Sequence, residues 1–359
     1  MVDTPATPPL PWLDAPLRAA LGLQNSHALL VHGPQGVGQF ELALALAQAQ
    51  LCEARPASAR DGLACGRCAA CRLFAARTHP DLLVLMPQAQ RIALAWGGAE
   101  GGGDDDAATG SARTKPSKEI RIDDVRGAIS FAQATSSRGR GKVVLVYPAE
   151  RMNPQASNAL LKTLEEPAGD TRFVLASSAP DALLPTVRSR CQAVALALPD
   201  VAVARIWLAE QGVADPAVLL DACGGQPLEA AQWARDGIDA ALWRSIPKRV
   251  ARAEADAFAE WPLARVVDTL QKLCHDALCT MAGAPPRYFP SDALAPAAGL
   301  VALTEWAAQL RLHALHCEHP WNAGLKLESL LAQAKSALDG DDRAAPRARG
   351  ERPFVHSAP

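Results

Sequence analysis

The octapeptide Gly33–Phe40 has the spacing of a phosphate-binding loop but lacks the two side chains that handle the nucleotide. In the pattern G-x-x-x-x-G-K-[ST], the lysine reaches the β- and γ-phosphates and the hydroxyl holds magnesium. Here Gln39 is neutral and Phe40 offers no metal ligand, whereas Gly33, Gly36 and Gly38 keep the outline of the loop. We predict an anion cradle that has lost its hydrolytic chemistry. An ordinary glycine-rich turn between a strand and a helix is the alternative.

A working nucleotide site also needs an acidic residue at the end of a neighbouring strand, to hold magnesium and to activate water. The apolar run that ends at Val146 is followed by Tyr147, Pro148 and Ala149. Glu150 comes two residues too late, so we expect it at the surface. An active ATPase with unusual residues is the rival hypothesis. The joint loss of lysine, hydroxyl and carboxylate argues against it, because each of these groups stabilises charge on the phosphates.

Four cysteines, Cys52, Cys65, Cys68 and Cys71, follow one another in the pattern C-x12-C-x2-C-x2-C. Two residues between thiolates direct successive sulfurs toward one tetrahedral ion. We therefore predict a structural zinc module at 52–71 with no open coordination position. An iron–sulfur cluster is the weaker alternative, because the run typical of bacterial ferredoxins needs a fourth cysteine separated from the third by three residues. Four unrelated free thiols are another.

Composition excludes several other classes of protein. The 359 residues are 49% hydrophobic and 21% charged, as expected for a soluble globular protein of two or three domains. Lysine and arginine number 36 against 38 acidic residues, so no overall basic field indicates nucleic-acid binding. No apolar run reaches the ~18 residues of a membrane span, and the N-terminus lacks the pattern of a secretory signal. Nine cysteines fit a reducing compartment. We expect a cytoplasmic protein without a membrane partner.

The elements that position these residues alternate short apolar runs with helical patterns, which is typical of a parallel sheet flanked by helices. A helix from Glu41 to Leu51 follows the loop. Asn153 and Pro154 begin another helix, which ends before Pro167. The predicted strands are Ala28–His32, Leu82–Met86, Val143–Tyr147, Arg172–Ala176 and Ala193–Leu198.

Changes of pattern along the chain predict four regions. An α/β domain spans 1–199, with a flexible surface insertion rich in glycine and aspartate at 88–118. A small helical lid follows at 200–239 and an all-helical collar at 240–338, in which Trp243, Trp261, Trp306 and Trp321 are expected to be packing anchors. Residues 339–359, rich in arginine, proline and alanine, are expected to form a disordered tail.

Five features in this order resemble the delta-prime subunits of the bacterial DNA polymerase III clamp loader. They are the degenerate loop Gly33–Phe40, the cysteine cluster after its helix, Thr78–Asp81, Asn158–Pro167 and the tripeptide Ser189-Arg190-Cys191. The likeness covers roughly Pro11 to Leu338 and is closest up to Pro199. The chain departs from the family in its long insertion and in having Pro227 where active relatives carry a nucleotide-sensing arginine.

That resemblance implies an AAA+ P-loop NTPase-like domain, a lid and a collar within a five-membered ring with gamma/tau and delta subunits. Such a ring loads the sliding clamp onto primer–template DNA during replication. The resemblance further implies a non-hydrolysing stator, an accessory subunit of a nucleotidyltransferase complex rather than an enzyme by itself. Weak nucleotide binding is left open.

The resemblance also assigns roles to particular residues. It implies that Arg190, flanked by Ser189 and Cys191, reaches as an arginine finger into the ATP site of a neighbouring gamma/tau subunit. It implies that the four cysteines of the 52–71 module hold zinc. A zinc-dependent DNA-binding head is the remaining alternative. It is weakened by the few basic and aromatic residues around the cysteines, namely Arg67, Arg72, Phe74 and Arg77.

Overall fold

The computed structural model describes residues 10–23, 26–54, 62–96, 116–295, 299–317, 319 and 321–339. The chain divides into two compact units, Met1–Glu210 with Gly225–Glu229 and Gln211–Gly224 with Ala230–Pro359. Every residue to which the sequence assigns a phosphate, metal or finger role lies in the first unit. The predicted lid and collar boundaries stay predictions.

The described residues form five β-strands and fourteen α-helices. The strands are β1 (Ala28–His32), β2 (Leu82–Leu85), β3 (Lys142–Val146), β4 (Thr171–Ser177) and β5 (Gln192–Ala195). The helices are α1 (Asp14–Leu21), α2 (Gln39–Leu51), α3 (Ala69–Ala75), α4 (Gln88–Ala93), α5 (Ile122–Gln133), α6 (Pro154–Glu165), α7 (Pro185–Arg188), α8 (Val201–Glu210), α9 (Pro216–Ala222), α10 (Pro227–Arg235), α11 (Ala240–Ala251), α12 (Leu263–Met281), α13 (Leu300–Leu315) and α14 (Ala323–Asp339).

The strands form one sheet in the order β2-β3-β4-β1-β5, and every neighbouring pair is parallel. All five predicted strands are present. Only β5 ends much earlier than expected, at Ala195 rather than Leu198. Because the strands are parallel, their carboxyl ends meet at one side of the sheet, here named the carboxyl edge, and their amino ends meet at the opposite side, named the amino edge.

Alternate residues of each strand enter two separate apolar cores, one on each face of the sheet. Leu29 and Val31 pack with helix α2 on one face. Leu30 and Leu175 pack with α5 and α6 on the other. Because both faces are covered, the strands read as continuous apolar runs, which is why they could be located from the sequence.

Helix α6 begins and ends as the sequence predicts. The Asn153 side chain accepts a hydrogen bond from the Ala156 amide at 2.8 Å, and Pro154 occupies the first turn. Leu160 and Leu164 are buried against the sheet. The cap and these two anchors set the position of Glu165, the last residue of the helix.

The predicted flexible insertion at 88–118 is wrong at its beginning. Helix α4 occupies residues 88–93, and its Ala89 amide donates to the Ser117 carbonyl at 3.0 Å, so the two ends of the segment are joined. The glycine and aspartate content of the segment predicts a loop along its whole length. The hydrogen bond between Ala89 and Ser117 joins residues far apart in the sequence and depends on the tertiary structure. Residues 97–115 lie outside the described residues, as do residues 340–359 of the predicted tail. Asp339, its first residue, belongs to α14.

The second unit is helical wherever it is described in regular structure, as expected. Trp243 is fully buried, and its ring stacks on Phe289 at 4.4 Å between centroids. Trp306 is also buried, but Trp321 is 45% exposed, so its prediction as a packing anchor is wrong. Within the described ranges, no helix is both long and apolar enough to cross a membrane.

Candidate functional site

The phosphate-like loop lies at the carboxyl edge, between the end of β1 and the start of α2. Its glycines are required by geometry. Gly38 has φ 103°, in the left-handed region, and a Cβ on Gly33 would lie 2.3 Å from the Leu196 carbonyl oxygen. Helix α2 starts at Gln39, two residues earlier than predicted. The loop therefore keeps the strand–loop–helix shape of an anion cradle.

Gln39, at the position of the nucleotide-binding lysine, forms hydrogen bonds with the backbone of its own loop. Its side-chain amide donates to the Gly33 carbonyl at 2.7 Å and to the Pro34 carbonyl. The residue is 5% exposed. A lysine ammonium would bring a positive charge to this position, whereas the neutral amide satisfies two carbonyls inside the loop.

Aromatic rings occupy the positions where the pattern requires a hydroxyl and a carboxylate. Phe40 stacks on Tyr147, with 4.6 Å between ring centroids, and packs edge-on against Trp96 at 5.6 Å. Burial raises the pKa of Tyr147 to about 12, with smaller contributions from the charges of Glu41 and Glu150. The stacked pair offers no anionic oxygen to a metal ion at neutral pH.

Glu150 is not the exposed carboxylate that the sequence predicts. Its Oε1 accepts hydrogen bonds from the Ser178 amide at 3.2 Å and the Ser178 hydroxyl at 2.8 Å. Its Oε2 is buried without a hydrogen-bond partner. The Glu150 carboxylate thus binds Ser178, the residue that follows β4, because the segments after β3 and β4 meet at the carboxyl edge.

The segment Gly225–Glu229, which belongs to the first unit, packs on the loop. The Leu228 amide donates to the Gly36 carbonyl at 3.1 Å. With the Gln226 amide oriented to satisfy its neighbours, its nitrogen donates to the Gln35 carbonyl at 2.9 Å and to Glu229. A Cβ on Gly36 would lie 3.2 Å from the Gln226 Cβ. Residues on both sides of Pro227 therefore bind the loop itself.

The four cysteines converge as their spacing predicts. All four sulfurs lie within 4.8 Å of one another, and the Cys52–Cys68 and Cys65–Cys71 pairs are each 3.9 Å apart. A tetrahedral zinc site with metal–sulfur bonds of about 2.3 Å has sulfur–sulfur edges of about 3.8 Å, so the arrangement fits this ion. Gly66, with φ 69°, makes the turn between Cys65 and Cys68.

Backbone amides support the sulfurs. The amides of Cys65, Cys68 and Cys71 donate to the sulfurs of Cys52, Cys65 and Cys68, at 3.3–3.4 Å. Burial opposes ionisation of Cys68, but amide hydrogen bonds, foremost from Cys71, outweigh it and lower the pKa of the thiol to about 6. Burial raises the pKa of Cys71, and its neighbouring sulfurs add to this. A cation shared by the four sulfurs would stabilise their thiolate form.

The cysteine module is fastened to the loop before β3. Arg138 pairs with Glu53 at 2.7 Å, and Arg140 donates to the Cys52 carbonyl at 2.9 Å. Phe74, the aromatic residue of the alternative DNA-binding head, is buried in the core beside α2. The module is thus anchored to the body of the α/β unit at the amino edge, where α2 ends.

Asp81, in the Thr78–Asp81 motif, organises the same loop. It is fully buried and accepts hydrogen bonds from the amides of Ser137 at 2.8 Å and Arg138 at 2.9 Å, and from the Ser136 hydroxyl at 3.0 Å. Lys142 Nζ lies 3.4 Å from its Oδ1. Burial opposes the charge, but these partners outweigh it and lower the pKa of Asp81 below its usual value. This motif is structural in the described residues.

Arg190 lies at the amino edge, just before β5. Its Nε donates to Glu165 Oε1 at 2.6 Å, and its Nη1 donates to the Thr186 carbonyl at 2.8 Å. Ser189 is adjacent, and the neighbouring Cys191 is half-buried. Arg188 instead pairs with Asp181 at 2.7 Å. The two arginines of this loop therefore face different partners.

The candidate finger and the loop are at opposite edges of the sheet. β1 runs from its first residue, at the amino edge, to His32, which leads into the loop, and β5 is paired alongside it. Five strand residues at ~3.3 Å per residue separate the two edges by about 13 Å. The structure does not bring Arg190 together with Gln39 and Phe40.

Two contacts are not predicted by the sequence. Trp96 falls within the predicted flexible segment, but its ring packs on Phe40 and lies under the Arg77 guanidinium, 4.6 Å away. The contact of Glu165 with Arg190 is the second. Its signal was present, because consecutive carboxylates at a helix C-terminus oppose the helix dipole and call for a cationic partner.

The chain is similar to proteins of known name. Residues 20–200 match the family described as DNA polymerase III, delta subunit. The Pseudomonas aeruginosa protein named DNA polymerase III subunit delta' is 42% identical over 234 residues, which cover 64% of this chain and 62% of the relative. The Escherichia coli protein of the same name is 30% identical over 267 residues, covering 69% and 71%.

A second group of relatives carries a different name. The Escherichia coli protein named DNA polymerase III subunit tau is 32% identical over 175 residues, which cover 49% of this chain and 22% of the relative. The matched segment spans less than two thirds of the Pseudomonas aeruginosa relative as well.

Proposed function

This chain belongs to the family of DNA polymerase III delta-prime subunits, and from that premise we propose that it is a non-hydrolysing subunit of a clamp loader. Its first unit has the AAA+ P-loop-like fold, a parallel sheet flanked by helices, and the chain continues into a helical region. In the proposed role the chain helps a ring of related subunits place a sliding clamp on primed DNA during replication.

The observation that carries this proposal is the stacked Phe40–Tyr147 pair at the carboxyl edge. Ligands of open α/β sheets bind outside the carboxyl ends of the strands, and a nucleotide there needs magnesium ligands and a cation. Two rings and a neutral amide stand at those positions instead. This arrangement disfavours the rival hypothesis of an active ATPase, since no group on these side chains stabilises charge developing on a phosphate.

Arg190 supplies the second part of the proposal. An arginine that is separated by the length of a strand from the loop of its own chain cannot serve that loop. A head-to-tail ring brings unlike surfaces of neighbouring subunits together, so the amino edge of one subunit can face the carboxyl edge of the next. We assign Arg190, within Ser189–Cys191, as an arginine finger acting on ATP bound to the neighbour.

The partners follow from the family and from the relatives named tau. The chain is similar to tau over about half its length, which supports a ring assembled from subunits with a common fold. We propose gamma/tau and delta subunits as direct partners. The sliding clamp and primer–template DNA are contacted through the complex.

A structural zinc ion completes the proposed function. Cys52, Cys65, Cys68 and Cys71 would hold it, and its bonds would stabilise the segment between α2 and α3. The four sulfurs leave no coordination position for a substrate. A DNA-binding head gains no support, because Phe74 is buried and Arg77 lies over Trp96.

Reconstitution tests the proposed assembly. The purified chain is mixed with the gamma/tau and delta subunits of its own organism, and the products are weighed by native mass spectrometry. We expect one copy of this chain in a five-membered ring, and no ATP turnover by the chain alone. A chain that stays outside the ring, or that hydrolyses ATP in a manner abolished by changes in its own loop, would contradict the proposal.

A further inference from the structure

The Arg190 guanidinium is held from two sides by its own chain. Its Nε and Nη2 both approach Oε1 of Glu165, and Nη1 donates to the Thr186 carbonyl. Ser189 Oγ lies 3.4 Å from Nη1. The arginine side chain is nevertheless 31% exposed, so a group from outside the chain can reach it.

The geometry of these contacts leaves donors available. A guanidinium carries five N–H groups in one plane. Because Nε and Nη2 approach the same oxygen of Glu165, they use the two N–H groups that lie side by side on one edge of the plane. The second N–H of Nη2 lies on the adjoining edge, directed away from Glu165. The carboxylate thus fixes the plane of the group without using that donor.

Glu165 lies on a well-anchored helix and can therefore restrict the motion of a side chain bound to it. It ends helix α6, whose start is capped by Asn153 and whose inner face is anchored by Leu160 and Leu164. A carboxylate in the last turn of a helix is unfavourable for the helix itself, because the backbone carbonyls there carry partial negative charge. Helix stability therefore does not explain a carboxylate at this position, whereas the ion pair with Arg190 does.

The surroundings of the pair admit an anion. Arg190 and Glu165 line a shallow groove together with Ser26, His27 and Ala28 at the start of β1. Among the described residues that line this groove, Glu165 alone is acidic. A phosphate approaching the open edge of the guanidinium therefore meets one carboxylate, and that carboxylate is already paired with Arg190.

We propose that Glu165 is a positioning residue, which holds the Arg190 guanidinium oriented for the phosphate of ATP bound to a neighbouring subunit. This inference rests on the finger role proposed above and deepens it. Orientation matters because a small misplacement of a group that acts in the transition state costs about 100-fold in rate. Without Glu165, the arginine keeps its charge and loses its fixed plane.

The test uses the complete ring, stimulated with clamp and primed DNA, and measures the kcat and KM of ATP turnover. The decrease in kcat caused by Arg190→Ala serves as the scale. We expect Glu165→Ala to reproduce at least half of that decrease with little change in KM. Glu165→Gln keeps an oxygen that accepts a hydrogen bond but has no charge, so it should recover part of the loss.

A matched control separates positioning from general weakening of the loop. Asp181→Ala removes the comparable partner of Arg188 and should leave kcat unchanged. Ring assembly and the melting temperature of each variant are measured alongside. If Glu165→Ala destabilises the chain, the comparison of Glu165→Gln with wild type decides the question.

The possible outcomes distinguish this inference from the function on which it rests. Normal or raised kcat in both Glu165 variants, together with a defective Arg190→Ala, overturns the positioning role and leaves the finger role intact. Normal kcat in Arg190→Ala overturns the finger role itself. Equal losses from Glu165→Ala and Asp181→Ala would show that the loop responds to any lost ion pair, which also overturns the positioning role.

Discussion

The two edges of the central sheet differ in chemistry. At the carboxyl edge, the phosphate-like loop is closed by the Gln39 amide and by the stacked rings of Phe40 and Tyr147. At the amino edge lie a buried aspartate–lysine pair, the four-cysteine module and the Arg190–Glu165 contact. Open α/β sheets bind ligands at the carboxyl edge, so this chain has its thiol cluster and its candidate finger at the edge opposite the usual ligand site.

The difference shows how a nucleotide fold can retain its shape while its site is remodelled. Apolar rings in place of ligands stabilise the carboxyl edge by burial, which needs no ion. The amino edge is built from charges and thiolates, which depend on partners, pH and metal. The following variants test that contrast, beginning with the largest expected effect.

Arg190→Ala should slow ATP hydrolysis at the bordering site of the neighbour by about 10³- to 10⁵-fold, because a guanidinium neutralises charge in the transition state. Total turnover of the ring should fall by only a fraction, since one of its ATP sites borders this residue. Steady-state turnover with clamp and DNA checks the effect. Arg188→Ala is the control, because Arg188 faces Asp181 instead. Equal defects in both variants would remove the role assigned to Arg190.

Phe40→Ala should lower the free energy of unfolding by about 3–5 kcal/mol, as for other buried phenylalanines. The cause is the loss of contacts with Tyr147 and Trp96. Phe40→Leu keeps most of the apolar volume and should cost less. Urea unfolding of the isolated chain measures both. A Phe40→Ala chain as stable as wild type would show that the ring does not support the carboxyl edge.

Asp81→Asn should destabilise the chain at neutral pH by about 1–3 kcal/mol, because buried amides and Lys142 lose an anionic partner. The folded-state pKa of Asp81 is lowered below 3.8, so its contribution is present above that value and lost as pH falls through the folded pKa. The gap between wild type and variant should therefore close in acid.

Unfolding curves between neutral pH and pH ~3 check this prediction, since that range brackets the unfolded-state pKa of aspartate. Asp123→Asn is the control. Asp123 pairs with Arg126 at the surface and is 82% exposed, so its loss should change little. A gap that stays constant with pH would show that the Asp81 charge is not what matters.

Cys65→Ser should reduce copurified zinc from one equivalent toward none and lower the melting temperature, because the metal contributes folding free energy. The effect should be local, since both cores of the sheet lie outside the module. Elemental analysis and thermal melts measure it, and Cys279→Ser is a control cysteine in the second unit. Absence of metal from the wild-type chain, or iron with sulfide in it, would contradict the zinc assignment.

The smallest expected effect comes from restoring the loop. Gln39→Lys combined with Phe40→Thr should create no measurable ATP turnover, because Tyr147 still stands where a carboxylate is needed. Turnover by the isolated double variant would show that the carboxyl edge is closer to activity than its geometry indicates.

Much of the fold could be predicted because it depends on local spacing. The apolar runs located all five strands, Asn153 and Pro154 located the start of α6, and the cysteine spacing identified the sulfur cluster. The missing lysine and hydroxyl are also visible in the sequence alone, since residue type at a fixed offset decides that chemistry. Each of these features involves residues within one short segment of the chain, or a burial pattern that repeats along it.

Only the tertiary structure decided which distant residues meet. Trp96 packs on Phe40, Glu150 accepts hydrogen bonds from Ser178, and Glu165 binds Arg190. The partners are 56 residues apart in the first contact and 25 apart in the last. The parallel pairing of β5 with β1 likewise decided that Arg190, which precedes β5, and the loop, which follows β1, lie at opposite edges of neighbouring strands. Local patterns specify strands and helices, whereas pairing order and side-chain packing depend on the whole folded unit.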